Sequence, residues 1–261
     1  DIIGEIRREY NDYEGKLNTY KHKLNIDKEQ YIDKCEGKKQ EIEVWINKKD
    51  PEPERENKVI INREKLKKEN IPFIPFYMAV DFQGDLREEE KGRLEEALMD
   101  MGILDALIIP HRYKKQVLKM DKDMSDRYLF ASPKYLMHEL SQKLKVDKIN
   151  INGINEEDIY DVLKSILIDE QEGESTFISQ YGHYGIGPIR GKTSSTYKYK
   201  YIGAAARKKF REEIIEKLEL ELNEIKDKIN EIDNQIRLID ERTDILNNEY
   251  WVVTGNYNAQ V

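Results

Sequence analysis

The stretch LELELNEIKDKINEIDNQIRLI, residues 218–239, decides the fold because its apolar residues recur at alternating spacings of four and three. A stripe with a mean spacing of about 3.5 residues stays against a partner helix only if the two helices supercoil. The spacing continues through Leu246 and Tyr250, with Thr243 in the one polar position. The sequence therefore predicts a long coiled-coil helix, which we assign to residues 203–249, followed by a tail or joint at 250–261.

A second apolar stripe runs along residues 1–50, and we assign it to an N-terminal coiled-coil helix. Its positions are Ile6, Tyr10, Tyr13, Leu17, Tyr20, Leu24, Tyr31, Cys35, Ile42 and Trp45. The stripe lapses near Asp27, and a phase shift is expected after Tyr31, which would change the local supercoil. Two prolines then end or interrupt the helix, so residues 51–72 are predicted to be a polar linker or short helix.

Each stripe is too apolar to face water and too narrow to form a core alone, so each helix needs a partner. The two stripes lie at opposite ends of the chain, so pairing within one chain must be antiparallel. The predicted fold class is α+β, with a small mixed α/β domain at the tip of a long antiparallel intramolecular coiled coil. A parallel homodimer, in which each helix pairs with its own copy, is the alternative.

The middle segment, residues 73–202, combines strand and helix signals. A strand at 76–82, a helix at 87–101 and a strand at 103–110 together suggest a crossover unit. Further expected elements are a strand at 128–131, helices at 133–144 and 155–168, and a glycine-containing β region at 176–201. These alternating signals predict a compact α/β domain.

The composition argues against a single large enzyme core, since hydrophobic residues make up 38% of the chain and charged residues 37%. Cys35 is the single cysteine, which favours a reducing compartment, and the expected location is the cytoplasm. The sequence has no apolar run long enough to span a membrane. Because it starts without Met, we expect a piece of a longer protein.

The segment 185–193, GIGPIRGKT, ends like a phosphate-binding P-loop, but Ile186 stands where that motif requires glycine. The following residues alternate like a strand, whereas a P-loop opens a helix, so a β-turn is predicted. The rival hypothesis is a small nucleotide-binding or enzymatic domain on a helical stalk that uses this loop. His138 is followed four residues later by Gln142 rather than a second histidine. We therefore assign no catalytic residue, no metal site and no cofactor.

The window 175–211 contains no acidic residue although the chain carries a net charge of −8. Strand-like alternation at 197–201 would place three tyrosines on one face and two lysines on the other. The candidate DNA-contacting residues are Arg190, Lys192, Lys198, Lys200, Arg207, Lys208, Lys209 and Arg211. The alternative is that these residues neutralise the acidic stretch at 156–174.

Two stretches carry a resemblance to a known family. PFYMAVDF at 75–82 and LEEALMDMGILDAL at 94–107 resemble the middle region of SMC-like ATPases, the JetC subunits of bacterial Wadjet plasmid-defence systems. GIGPIRG at 185–191 and YIGAAAR at 201–207 are similar to the same region. The resemblance covers about residues 72–211 and implies distant kinship with MukB-type condensins.

This resemblance implies a hinge, the domain at which an SMC-type arm folds back and two subunits dimerise. The candidates for the dimer interface are Tyr184, Gly185 and Gly187. It also implies that ATP and Mg²⁺ bind at head domains whose motifs this sequence lacks, so the fragment itself would not be an enzyme. The implied partners are a second copy of the chain, double-stranded DNA and other defence-complex subunits. A membrane is not among the expected partners.

Overall fold

The computed structural model of this chain describes residues 2–47, 50–135, 137–147, 153–169 and 176–258. The chain divides into two compact units. We call Asp1–Lys49 with Glu212–Val261 the coiled-coil unit, and Asp50–Arg211 the α/β unit. The predicted fold class, α+β with a long antiparallel coiled coil within one chain, is confirmed.

Seven α-helices and nine short strands are present in the described ranges. The helices are α1 (Ile2–Asn47), α2 (Asn57–Lys68), α3 (Phe76–Ala79), α4 (Glu88–Asp100), α5 (Lys114–Met120), α6 (Glu156–Leu163) and α7 (Ala204–Asn258). The strands are β1 (Ile74–Pro75), β2 (Val80–Phe82), β3 (Leu107–Ile108), β4 (Tyr128–Leu129), β5 (Leu144–Val146), β6 (Leu167–Ile168), β7 (Phe177–Ile178), β8 (His183–Ile186) and β9 (Ile189–Lys192).

Helices α1 and α7 pair with each other, antiparallel, in the coiled-coil unit. Lys28 of α1 contacts Asp233 of α7 at 2.5 Å, and further along α1 Lys38 contacts Glu221 at 2.9 Å. The residue number therefore falls along α7 as it rises along α1. The pairing lies within one chain, so the parallel homodimer alternative is wrong.

The seam between the helices follows the predicted stripe on α7 more closely than the one on α1. It buries Leu24, Cys35 and Ile42 on α1 and Leu218, Leu222, Ile232 and Ile239 on α7. Tyr13 and Tyr20, which were expected in the stripe, are 39% and 50% exposed. Their positions on the inward face are taken by half-buried Glu14 and Lys21, and the seam then runs regularly through Tyr31 and beyond. The phase shift thus lies before Leu17 and not after Tyr31.

Helix α7 extends past the residue at which the heptads were expected to stop. Residues 250–258 are helical, so the described part of the predicted tail continues α7. Trp251, Val252 and Val253 are exposed there, in line with their departure from the heptad spacing. Residues 259–261 lie outside the described residues.

Three small sheets build the α/β unit around a shared core. The first has the order β1-β3-β4, the second pairs β2 with β5, and the third has the order β6-β7-β8-β9. The largest core cluster includes the fully buried Phe76, Tyr77, Leu98 and Leu163. The segment predicted as a polar linker or short helix at 51–72 contains helix α2, which adds Leu66 to a second cluster and so packs into this unit.

The expected crossover unit does not form. The strand predicted at 76–82 is interrupted by the helical turn α3, which follows Pro75 and leaves only β2 extended. Strand β2 pairs antiparallel with β5, whereas β3 pairs with β1 and β4, so the strands on either side of α4 belong to different sheets. The prediction failed because sequence spacing does not specify which strands pair.

Two predicted helices are shorter or absent. The segment 133–144 forms a 3₁₀ turn at Leu140–Gln142 and then begins β5. Among its described residues only Leu140 and Leu144 are buried, too few for the apolar stripe of a packed helix. The helix predicted at 155–168 ends at Leu163, and its last residues form β6 instead.

Candidate functional site

The β8–β9 hairpin contains all three candidates for a dimer interface, but only one of them is open. Gly187 lies in the turn with a φ of +54°, and a side chain there would meet nothing within 4 Å. Gly185 is buried against the ring of Phe177, and Tyr184 is half-buried beside Gly191. Gly185 and Tyr184 therefore contribute to packing inside the domain, and this packing explains why a glycine and a tyrosine occur at these positions.

Strand β9 forms one edge of its sheet. Within the described ranges β9 pairs with β8 alone, and Ile189 at its start is 59% exposed. A strand edge offers unpaired amide and carbonyl groups to another strand, and an exposed apolar side chain adds to that tendency. The geometry of this edge suits pairing with a second polypeptide.

The basic window contains residues in three different settings. Arg190, Lys192, Lys198, Lys208 and Lys209 are exposed, Lys200 and Arg211 are half-buried, and Arg207 is buried. Ser175, the first residue of the window, lies outside the described residues. The eight candidates therefore do not form a single exposed basic row.

Arg207 is part of the domain interior, which corrects its assignment as a DNA contact. Its Nη1 donates to the carbonyl oxygen of Tyr201 at 2.9 Å, and its Nε lies 3.6 Å from a carboxylate oxygen of Asp50. Asp147 lies 4.0 Å from Nη2. With 4% of its surface exposed, Arg207 is held by contacts inside the α/β unit and cannot reach DNA phosphates in this conformation.

Residues 197–201 are not a strand, but their three tyrosines are half-buried or buried and Lys198 is exposed, as the expected alternation requires. Lys200 departs from that alternation because it is half-buried. Lys200 places its Nζ 4.9 Å from the ring centre of Phe210 and 5.2 Å from that of Tyr201. These cation–π contacts and its half-buried position hold the ammonium group of Lys200 against the protein's own aromatic rings.

We call residues 194–202 the strap, because this irregular segment joins β9 to the start of α7. The strap is bound by carboxylates of α4. Glu95 accepts hydrogen bonds from the Tyr197 hydroxyl at 2.9 Å and from the amides of Lys200 and Ile202, each at 2.7 Å. The amide of Tyr201 donates to the same carboxylate at 3.0 Å.

Glu95 is fully buried, and its environment acts on its pKa in two directions. Burial raises the pKa of the carboxyl group above its ordinary value, while the hydrogen bonds from the strap oppose that shift. Burial and the adjacent Glu95 also raise the pKa of the Tyr197 hydroxyl. The sequence did not single out Glu95, because nothing distinguishes it among 52 acidic residues.

The segment that resembles a P-loop forms the β8–β9 hairpin. Its residues from Ile189 to Lys192 form β9 and the irregular strap follows, so this segment does not open a helix as a P-loop does. In the described part of the chain, no group of three or more His, Cys, Asp or Glu residues could hold a metal ion. No helix found there is both long enough and apolar enough to cross a membrane.

No protein-family model matches the chain, and no curated protein sequence matches it. Among solved structures, one that is similar is the Pyrococcus furiosus Smc hinge domain with an extended coiled coil. It shares 12% identity over 98% of this chain and 97% of that chain, with a TM-score of 0.41. Another is an asymmetric dimer of the Geobacillus stearothermophilus SMC hinge domain, with 10% identity over 90% of this chain and 98% of that chain, and a TM-score of 0.32.

Proposed function

We propose that this chain is a hinge and dimerisation module, with its adjoining coiled coil, of an SMC-like protein. The observation that carries the proposal is that the segments before and after the α/β unit pair with each other as antiparallel helices. A chain built this way returns along its own arm, which is the organisation an SMC-type hinge requires. Its function is architectural.

The finer assignment follows the sequence resemblance. The chain belongs to the SMC-like ATPase subunit of a cytoplasmic, Wadjet-type plasmid-defence system with MukB-type relatives. ATP hydrolysis and DNA extrusion belong to head domains and partner subunits of the full assembly. The rival, a nucleotide-binding or enzymatic domain, is weakened because the segment it would use is a β-hairpin.

The β9 edge is the surface that best fits the dimer contact. It combines the outermost position of β9 in the described sheet with the exposed side chain of Ile189 and the open turn at Gly187. Two copies that pair through this edge would bury the apolar side chain of Ile189 and add backbone hydrogen bonds between the two chains.

The test is sedimentation equilibrium of the full 261-residue chain over a range of concentrations. We expect a concentration-dependent dimer, and we expect Ile189→Asp to weaken it at least tenfold, since burying an unpaired carboxylate in an interface is costly. Met124→Asp is the matched control, because Met124 is 56% exposed elsewhere in the same unit and has a positive φ that Asp tolerates. A wild-type chain that stays monomeric would contradict the proposed function.

A further inference from the structure

The strap depends on side chains for its attachment to an unusual degree. The hydrogen bonds that its amides make within the described residues all end on side-chain oxygens. Ser194 donates to Glu96, Tyr197 donates to Ser194, and the last three residues donate to Glu95. A strand or helix spreads its attachment over many backbone pairs, whereas the strap concentrates it on α4.

One face of α4 is shaped to receive the strap. Glu88 and Glu95 lie on this face two helical turns apart, and Gly92 lies between them. A Cβ atom at Gly92 would overlap the backbone carbonyl oxygen of Tyr197, so only glycine lets the strap lie directly on the helix. Tyr199 completes the contact by donating its hydroxyl to Glu88 at 3.1 Å.

We propose that the strap is a latch between the β8–β9 hairpin and the start of α7, by which we mean that it can detach from α4 and attach to it again. The carboxylate of Glu95 is the group that holds it in place. In the latched state Glu95 holds residues 197–202 on α4. In the released state residues 194–200 leave α4, while the buried side chains of Tyr201 and Ile202 stay in the core as a pivot. The latch itself is a property of the α/β unit. The idea that its release transmits a dimer contact from the β8–β9 hairpin to the start of α7 rests on the proposed function.

The physical basis of release is that one carboxylate receives four donors. Hydrogen bonds to an ionised acceptor are stronger than neutral ones, and the four share the same charge. A change that removes this charge therefore weakens all four bonds together, so residues 194–200 leave α4 together and the amides of Tyr201 and Ile202 lose their acceptor. The strap is also the covalent connection between β9 and α7, so its release changes how the hairpin is tethered to the first turn of that helix.

Hydrogen–deuterium exchange of the full chain, resolved by residue, tests the latch. In Glu95→Gln we expect the amides of residues 200–202 to exchange roughly tenfold faster or more, because several hydrogen bonds to a charged group weaken. The amides of α6, which the strap does not hold, keep their wild-type rates. Glu96→Gln is the matched control: Glu96 holds only Ser194, at 2.9 Å, so exchange should change there alone.

Unchanged exchange at residues 200–202 in Glu95→Gln would overturn the latch. Faster exchange throughout the α/β unit would overturn it as well, because Glu95 would then support general stability only. Neither result depends on dimerisation. A monomeric chain that still releases the strap would refute the proposed function and leave the latch in place.

Gly92→Ala is a second test of the attachment of the strap to α4, and it leaves Glu95 intact. It replaces Glu95→Gln as the test of the latch if that variant fails to fold. Alanine stabilises a helix interior relative to glycine, so α4 should keep or increase its protection. The added Cβ displaces the carbonyl of Tyr197, so the strap amides should exchange faster in the same protein. A protected strap in Gly92→Ala would contradict the close seating on which the latch depends.

Discussion

Arg63 illustrates at the residue scale how a buried charge is held in the α/β unit. Its Nε donates to Asp126 at 2.7 Å, and its Nη2 donates to the carbonyl oxygen of Asp105 at 2.8 Å. We expect Arg63→Met to lower the free energy of unfolding by about 3 kcal/mol, because it leaves the Asp126 carboxylate buried without its cation. Urea denaturation followed by the near-ultraviolet circular dichroism of the tyrosines measures this change.

Arg87→Met is the control for Arg63→Met. Arg87 also pairs with a carboxylate, Glu90, but its side chain is 75% exposed, so its removal should change stability far less. Equal effects of the two substitutions would show that burial does not determine the contribution of these ion pairs.

The residue scale is where the sequence was least informative about the candidate site. Arg207 and Lys209 are both basic residues in the same window, yet one is buried and the other exposed. Glu95 likewise has the same chemistry as its neighbour Glu96. What separates Glu95 from Glu96 is its burial and its four hydrogen bonds from residues 197–202, whereas Glu96 binds only Ser194. These contacts lie about a hundred residues away in the chain, and single-sequence patterns do not encode such distant contacts.

At the scale of elements, the α1–α7 seam provides a direct test of the heptad assignment. Ile232 lies in the seam with 8% exposure, whereas Leu238 on the same helix is 56% exposed. We expect Ile232→Ala to cost about 2 kcal/mol of unfolding free energy, because apolar burial is reduced and a cavity is left behind. Thermal melting followed by circular dichroism at the helical minimum measures the change.

Leu238→Ala serves as the matched substitution on the exposed face. It removes a side chain of similar size from a position that faces water, and alanine is a good helix former, so stability should hardly change. A larger destabilisation at Leu238 than at Ile232 would mean that the seam lies on the other face of α7.

Elements whose sequence signals are local were predicted correctly, whereas elements that depend on contacts distant in sequence were not. The coiled-coil stripe on α7 and helix α4 were foreseen because their spacing is local. The strand at 76–82 and the helix at 133–144 were not predicted correctly, since α3 and β5 depend on partners distant in sequence. Phe76 shows this: its amide donates to the carbonyl of Ala106 at 2.9 Å, a contact that no local pattern predicts.

For the whole molecule, the distribution of charge leads to a prediction about DNA. We expect the exposed lysines of the basic window to give weak, sequence-independent binding of double-stranded DNA that falls with salt. Reversal of Lys192, Lys198 and Lys209 to Glu should weaken it and lower the slope of log K against log salt by about 0.9 for each phosphate that these lysines no longer neutralise. Fluorescence anisotropy of a labelled duplex at several salt concentrations measures both quantities.

Charge reversal at Lys115 and Lys119 is the control, since these exposed lysines of α5 lie outside the window. The control should lower affinity less than the triple variant. If the triple variant binds DNA as tightly as wild type, the basic window has no role in DNA binding, and its charges serve the domain itself. Lys200, which stacks on aromatic rings, and the buried Arg207 already do so.

The seam between α1 and α7 has one further consequence, which concerns Cys35. This single thiol of the chain is buried in the seam with 8% exposure, among Ile42, Leu218 and Leu222. Because the thiol is buried between α1 and α7, we expect an alkylating reagent to reach it when the two helices separate. The rate of alkylation therefore reports how often the arm opens at Cys35. The chain thus carries its own chemical reporter of that motion.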